Sequence, residues 1–321
     1  MAHWLGFPAP WLVGSTIAVA LAALSPLEPV VPAPLRNLAF AVIGVSLGSG
    51  VDADTLAQAS RWSVSLGMML IGIPVMMAAT YQYLHRIVRY DRATAILSAS
   101  PGGLSATMAM AAQGYGDIQQ IALIQSFRLL FLTAALPHLV APLMPAAASL
   151  PAPNDAMAWP ALIGVLAATL FFGFLAERIR VPAAYVMTGV LVSAVLHATG
   201  ILAGGIASWL MAPVFVVIGA IVGSRFSGFR IRQIAEGFGH GLVFVGIAGL
   251  VSGLFAVITA GLAGLPVGQV WVAFAPGGLE VMAAMALAFD FDPAFVALHH
   301  LVRIIGLSLF LPIVVGKLVA R

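Results

Sequence analysis

Arg128 and Arg303 each stand near the middle of an apolar segment, and each follows a segment that is interrupted by the same motif. The first interruption is Pro101-Gly102-Gly103-Leu104 and the second Pro276-Gly277-Gly278-Leu279. Proline and paired glycines must break a helix there, and a break inside a membrane strands backbone N–H and C=O groups that only protein or a water-filled cavity can satisfy. A half-helix beginning at Leu104 or Leu279 would aim free N–H groups and a positive dipole end at that cavity, which suits an anion. Close helix crossing is the alternative use of Gly-Gly.

A charge at the centre of an isolated membrane helix costs about 3 kcal/mol on insertion scales, so both arginines need partners. Asp117 and Asp292 share their helices but lie 11 residues away, roughly 16 Å at 1.5 Å rise and out of reach. The remaining candidates are the broken-helix carbonyls, Glu280 for one arginine, or a bound anion. Gln125 and His300 stand one turn before the arginines, while Ser105 and Glu280 occupy equivalent places after the two motifs. Glu280 could hold a coupling proton or cation, or form a salt bridge to Arg303. The candidate substrate-binding set is therefore Pro101, Gly102, Gly103, Leu104, Ser105, Gln125 and Arg128 with Pro276, Gly277, Gly278, Leu279, Glu280, His300 and Arg303. His299 and His300 point about 100° apart on a helix and have no third ligand at helical spacing, so no metal and no cofactor is expected. Asp117 and Asp292 follow turns and precede helices, which makes them N-caps.

The elements that must carry these residues follow from composition. Of 321 residues, 62% are hydrophobic and 8% charged, and the mean hydropathy is +1.08. That is an integral membrane protein with no stretch polar enough for a soluble catalytic or DNA-binding domain. The net charge of +3 comes from scattered loop residues and forms no basic face for nucleic acid. There is no cysteine, which removes disulfides and thiolate chemistry. The first apolar stretch follows His3 as its sole candidate cation and has no convincing cleavage site, so a retained helix is expected. Apolar runs recur from Trp4 to Val315 without the alternation of barrel strands, which predicts an all-α polytopic protein.

The chain also repeats itself. Phe40 to Gly44 resembles Phe215 to Gly219, Gly48-Ser49 recurs as Gly223-Ser224, and Asp117, Arg128 and Pro137 recur as Asp292, Arg303 and Pro312, all 175 positions later. Pro8-Ala9 and Pro182-Ala183 extend the match at 174. One register held by polar, Gly and Pro positions together indicates duplication. Loop cations sit at Arg86, Arg89 and Arg92 in the first half but one loop earlier, at Arg225, Arg230 and Arg232, in the second. That switch predicts inverted repeats if the Pro-Gly-Gly segments re-enter, giving about nine full spans plus two hairpins; full crossing would make the repeats parallel. The expected division is 1–150 for the first repeat, 151–181 for a linking helix and 182–321 for the second repeat.

The duplicated Pro-Gly-Gly-Leu motifs, the arginine after each, and the Pro-Ala openings resemble the bacterial AbrB-type membrane family over essentially the whole chain. Members of that family carry the label of a transcriptional regulator or of an ammonia monooxygenase, and the resemblance implies those labels without their chemistry. Pro276-Gly277-Gly278-Leu279-Glu280-Val281-Met282 is similar to the family form, which tends to place an acid and a methionine after the glycines; Ser105-Ala106-Thr107 supplies neither. No stretch can hold a DNA-reading module, and seven scattered histidines do not make a redox metal cluster. The expectation is a non-enzymatic secondary transporter of the bacterial inner membrane, with a midplane site for a small anionic or zwitterionic solute. The expected partners are the bilayer and that solute, with no nucleic acid, and homo-oligomerisation is left open. The competing classes are a membrane-embedded ligand sensor acting indirectly on gene expression and a membrane oxidoreductase.

Overall fold

Prolines and glycines divide the chain as their chemistry dictates. In the computed structural model, which describes residues 7–50, 62–102, 104–143 and 156–319 with the side chains of 104, 105, 318 and 319 excepted, thirteen α-helices are present. In chain order they are α1 Pro10–Ala23, α2 Ala33–Gly48, α3 Ser63–Gln82, α4 Arg92–Ala99, α5 Leu104–Ala112, α6 Ile118–Val140, α7 Trp159–Arg178, α8 Ala184–Ala198, α9 Ser208–Gly223, α10 Ile231–Ala263, α11 Val267–Phe274, α12 Leu279–Ala288 and α13 Pro293–Val319. Among the described residues the β structure is one isolated bridge, Ala156 to Gly205. Pro10 opens α1 and prolines stand at the first or second positions of α2 and α7, where a missing N–H costs no helical bond. Residue 150, the expected first boundary, and Arg321 lie outside the described residues.

Helix starts at 33, 92, 104 and 118 recur at 208, 267, 279 and 293, each 175 positions later. The likeness extends to backbone detail: Ala9 and Ala183, from the two Pro-Ala openings, both cap their helices in the left-handed conformation, with φ of 51° and 49°. α10, at 33 residues, outgrows its counterpart α3, which has 20 and continues through a π-helical turn at Tyr83–Ile87.

Six helical stretches are long and apolar enough to cross a membrane: Ser63–Ile87, Ile118–Leu143, Trp159–Arg178, Ser208–Phe226, Ile231–Ala263 and Pro293–Lys317. The apolar helices α1, α2 and α8 have 14, 16 and 15 residues, which is short of the about 20 that a 30 Å hydrocarbon layer requires of an untilted helix. α6 is central, with 67% of its apolar window buried, whereas α7 has 22% buried and turns Ile163, Phe171 and Phe172 outward. Such an apolar exterior fits lipid as the solvent.

The halves exchange partners. Gly44 and Gly48 of α2 lie against α8: a Cβ on Gly44 would stand 2.9 Å from the Gly189 Cα, and one on Gly48 2.7 Å from the Ser193 Cβ. Their counterparts Gly219 and Gly223 on α9 lie against α1, where a Cβ on Gly223 would meet the Ala20 nitrogen and the Thr16 oxygen at 2.7 Å. In both pairs the contact advances along both chains together, so α2 runs parallel to α8 and α1 to α9. Small residues four apart let the backbones approach, the common means of helix association in lipid. α3 and α10 run antiparallel, because Gly72 meets Phe255 while the Tyr83 hydroxyl lies 2.9 Å from His240 Nδ1.

Candidate functional site

Each Pro-Gly-Gly motif sits at the tip of a hairpin of short helices. α4 enters at Arg92 and stops at Ala99, where Ser100 turns extended before Pro101. α5 leads back, and the chain arrives at Gly116 and Asp117 beside the first turn of α4: the Asp117 N–H donates to Thr94 Oγ1 at 2.7 Å. Thr94 Oγ1 also donates to the Asp91 carboxylate, tying the foot of the hairpin. The second hairpin closes in the same place by another residue type, with the Asp292 N–H donating to Gln269 Oε1 at 3.1 Å. Asp117 and Asp292 each accept from the backbone N–H groups two and three residues on, so both are N-caps as the sequence indicates.

The break at each tip frees the last carbonyls of α4 and α11, and α6 and α13 supply the donors. Gln125 Nε2 donates to the Leu97 oxygen at 3.1 Å and the Ser100 oxygen at 3.2 Å, and Arg128 Nη1 donates to the Ser100 oxygen at 2.7 Å. In the second half His300 Nε2 donates to the Val272 oxygen at 3.1 Å and Arg303 Nη1 to the Ala275 oxygen at 2.5 Å. Arg303 Nη2 reaches the Gly277 oxygen at 2.6 Å and His300 Nδ1 at 2.7 Å. A neutral His300 ring with its proton on Nε2 satisfies both contacts. The same two positions on α6 and α13 thus hold the same two carbonyls of each hairpin, in one case by glutamine and in the other by histidine.

Arg128 and Arg303 are 2% and 1% exposed, and among the described residues neither has a carboxylate partner. Among the described residues the ion pairs are Arg36 with Glu177 and Arg232 with Glu236. The arginines are held instead by carbonyls at the negative ends of α4 and α11, where a cation is favoured. Charge and donors are not exhausted by this. The Nε atoms of Arg128 and Arg303, the hydroxyls of Ser98 and Ser100 and Oε1 of Gln125 are buried without a partner. The first tip also reaches the arginine of the second half, since a Cβ on Gly102 would lie 3.4 Å from Arg303 Nε.

Pro101, Gly102, Pro276, Gly277 and Leu279 are buried at these tips. Gly103 lies outside the described residues, as do the side chains of Leu104 and Ser105. One candidate pairing is overturned: Glu280 makes no salt bridge to Arg303, because α12 turns it toward α9. There Glu280 lines a small recess, with room for about one water molecule, together with Arg225, Gly278, Phe40, Leu129 and Val222. Arg225, read from sequence as a loop cation, follows Gly223 by two residues, sits on a single 3-10 turn and carries a buried Nε with no partner. The available signal was its position at the end of an apolar helix, two residues after the glycine that seats α9 on α1.

His299 is fully buried beside this machinery. Its Nδ1 donates to the Phe295 oxygen at 2.7 Å, and its Nε2 lies 2.9 Å from the Ser65 hydroxyl on α3. With both nitrogens of His300 also engaged, the pair is committed to tying helices. Among the described residues no three His, Asp or Glu side chains come together as a metal site would require.

Against known proteins, the family model described as "Transition state regulatory protein AbrB" matches residues 11–318. The chain is 26% identical to the Uncharacterized protein YhjN of Bacillus subtilis (strain 168), over 96% of this chain and 86% of that protein. It is 24% identical to the "Putative regulator AbrB" of Escherichia coli (strain K12), over 94% of this chain and 88% of that protein. No solved structure matches it.

Proposed function

The chain belongs to the AbrB family, and from that premise and the geometry of the hairpin tips we propose that it is a multi-pass permease of the bacterial inner membrane for a small anionic or zwitterionic solute. Nine spans, α1 to α3, α6 to α10 and α13, surround two re-entrant hairpins, α4–α5 and α11–α12. The two repeats are inverted about an axis in the membrane plane, with α7 as the linking helix. The supporting observations are directional. α1 and α2 are joined by a short loop, as are α8 and α9, so the members of each pair run opposite ways; since α1 parallels α9 and α2 parallels α8, α8 points opposite to its counterpart α1. The antiparallel course of α3 and α10 agrees. Discontinuous helices meeting at mid-depth between inverted repeats are the setting of many secondary transport sites.

The observation that carries the reading is the pair of buried arginine Nε donors, without partners, beside the hairpin tips, with Arg303 reaching the first tip at Gly102. An acceptor group of a solute would complete these donors, and hinging of the tips would expose it to either side. The natural chain has no cysteine, so Ser98→Cys places one thiol at the tips. In proteoliposomes that thiol is expected to react with impermeant reagents added from either face, and transported solute should protect it. Reaction from one face only, unaffected by any solute, sinks the transporter reading. The name of the Escherichia coli relative favours a second reading, a ligand sensor without transport; binding with no solute flux across the same vesicles would favour it.

A further inference from the structure

α7 stands outside the repeat and is the least buried of the long apolar helices. Its 20 residues make a rod of about 30 Å, one hydrocarbon thickness. Trp159 is exposed at one end, beside Trp209, and Arg178 is exposed at the other. Indole and guanidinium groups at opposite ends place both at headgroup level. At the arginine end the starts of α2 and α8 close in: Arg36 Nη2 lies 3.8 Å from Glu177 Oε1, and the Tyr185 hydroxyl donates to Glu177 Oε2 at 3.0 Å. The Glu177 carboxylate is thereby engaged, whereas among the described residues Arg178 and Arg180 belong to no ion pair. Arg178 folds down over Phe174, its guanidinium carbon 4.7 Å from the ring centroid. Phe171, Phe174, Leu175 and Arg178 are all exposed and recur at the spacing of one helix face. Arg180 has φ of +60°, in the turn after the helix where glycine is usual, so a cation is kept there at a cost in backbone conformation.

The same end of the bundle gathers the cations of both halves. Arg36 opens α2 where α1 finishes, and α9, parallel to α1, finishes there too, followed by Arg230 and Arg232. The contact of Tyr83 with His240 brings Arg86, Arg89 and Arg92 to this end as well. Cations concentrated on one face mark the cytoplasmic side, where anionic headgroups attract them. Unpaired guanidinium groups directly above an exposed aromatic and aliphatic strip match a molecule with a phosphate at headgroup level and hydrocarbon beneath it. We infer that the C-terminal end of α7 is a binding site for an anionic phospholipid of the cytoplasmic leaflet, its phosphate held by Arg178 and Arg180 and an acyl chain lying along Phe171, Phe174 and Leu175. Guanidinium forks suit phosphate oxygens, and the contact with Phe174 keeps Arg178 low on the helix, close to the chains, instead of extended into water. A free phosphate would leave the apolar strip unused. The site lies apart from the hairpin tips and does not depend on the permease reading.

The test is titration of the detergent-purified full chain with dioleoylphosphatidylglycerol, beside dioleoylphosphatidylcholine and inorganic phosphate, with bound lipid counted by native mass spectrometry. Phosphatidylglycerol is expected to bind more tightly than phosphatidylcholine, and Arg178→Gln and Arg180→Gly should each weaken it about fivefold, the effect of one cation near an anionic headgroup. Arg180→Gly removes the charge and relieves the backbone, so in phosphatidylcholine it should melt at or above the wild-type temperature, which separates lost binding from lost folding. Arg232→Gln, which removes a cation of the same face that Glu236 already pairs, should bind phosphatidylglycerol as the wild type does. Equal affinity for the two phospholipids, wild-type binding in both Arg178→Gln and Arg180→Gly, or an equal loss in Arg232→Gln overturns the inference. So does inorganic phosphate that displaces the lipid at comparable concentration, since the site would then recognise the anion alone.

Discussion

Arg303 lies directly beneath Gly102, so the guanidinium that holds the second hairpin also supports the tip of the first: its Nε is 3.4 Å and its Nη2 3.6 Å from the position of a Cβ on that glycine. Gly102 has φ of +92°, outside the range L side chains adopt comfortably, whereas its counterpart Gly277 is not in a positive-φ conformation.

This relationship gives the first prediction. Gly102→Ala should destabilise the protein by about 1–2 kcal/mol from backbone conformation alone, with a further loss from crowding Arg303. At Gly277 an added Cβ meets the flexible side chain of Met282, at 2.6 Å. Thermal unfolding in detergent should therefore show Gly102→Ala melting lower than Gly277→Ala. The reverse order would mean that the first tip is not pressed against Arg303 as described.

Removing the arginines should cost unequally. Arg128 makes one hydrogen bond to the hairpin and Arg303 two, plus one to His300. Each lost bond from a charged donor is worth about 1.5–3 kcal/mol. Arg303→Ala is expected to be the more destabilising substitution by roughly one such bond or more, read as the difference in unfolding midpoint. Arg303→Lys should recover little, because one ammonium cannot reproduce a planar fork spanning the Ala275 and Gly277 oxygens.

The exchanged helix seams make a third prediction. Gly48→Ala and Gly223→Ala force apart backbones that are in contact, and overpacking of this kind costs about 1–3 kcal/mol. Gly164 on α7 has nothing within 4 Å of its Cβ position, so Gly164→Ala should be neutral or stabilising by up to about 1 kcal/mol through helix propensity. Circular dichroism melts of the three variants test both halves of the statement. Equal behaviour of Gly48→Ala and Gly164→Ala would contradict the close approach of α2 to α8.

At the foot of the first hairpin, burial raises the phenol of Tyr90 above its usual pKa, and the charge of Asp117 adds to the rise. A group whose folded pKa is raised contributes stability that is fully present below its unfolded value and is lost as pH climbs through the folded one. The folded protein should thus lose stability above about pH 10, and Tyr90→Phe should blunt that loss. Unfolding midpoints measured from pH 8 to 11.5 check this; an identical alkaline decline in the variant would show that Tyr90 does not contribute.

How much of this was legible in the sequence depended on how local each cause is. Pro101 and Pro276 break helices by their own ring geometry, and Asp117 and Asp292 cap the chain two and three residues on, so both were readable. The pairing of Arg128 and Arg303 with broken-helix carbonyls was among the open candidates, because the stranded groups could be anticipated from the break. The destination of Glu280 was not readable. It depends on which neighbour α12 presents its first turn to, and that is fixed by α9, more than fifty residues earlier. Arg225 was misread as a loop cation for the same reason: composition places it beside Arg230 and Arg232, while the seating of Gly223 on α1 carries it inward. The short lengths of α2 and α8 were legible in their apolar runs, Asn37 to Gly50 and Ala183 to Ala198, whereas α1 begins only at Pro10, inside a run that extends from Trp4 to Leu24.

The exchange of partners between the halves bears on biosynthesis. Gly44 and Gly48 have no surface to meet until Val186 to Ala194 have been made, and Ala20 waits for Gly223. The first six helices therefore reach the bilayer with their closest-packed faces open, and their assembly is completed only when the later half is inserted among them. A ribosome stalled near the linking helix would leave an insertion intermediate whose exposed glycine seams mark it for degradation or for pairing with another copy.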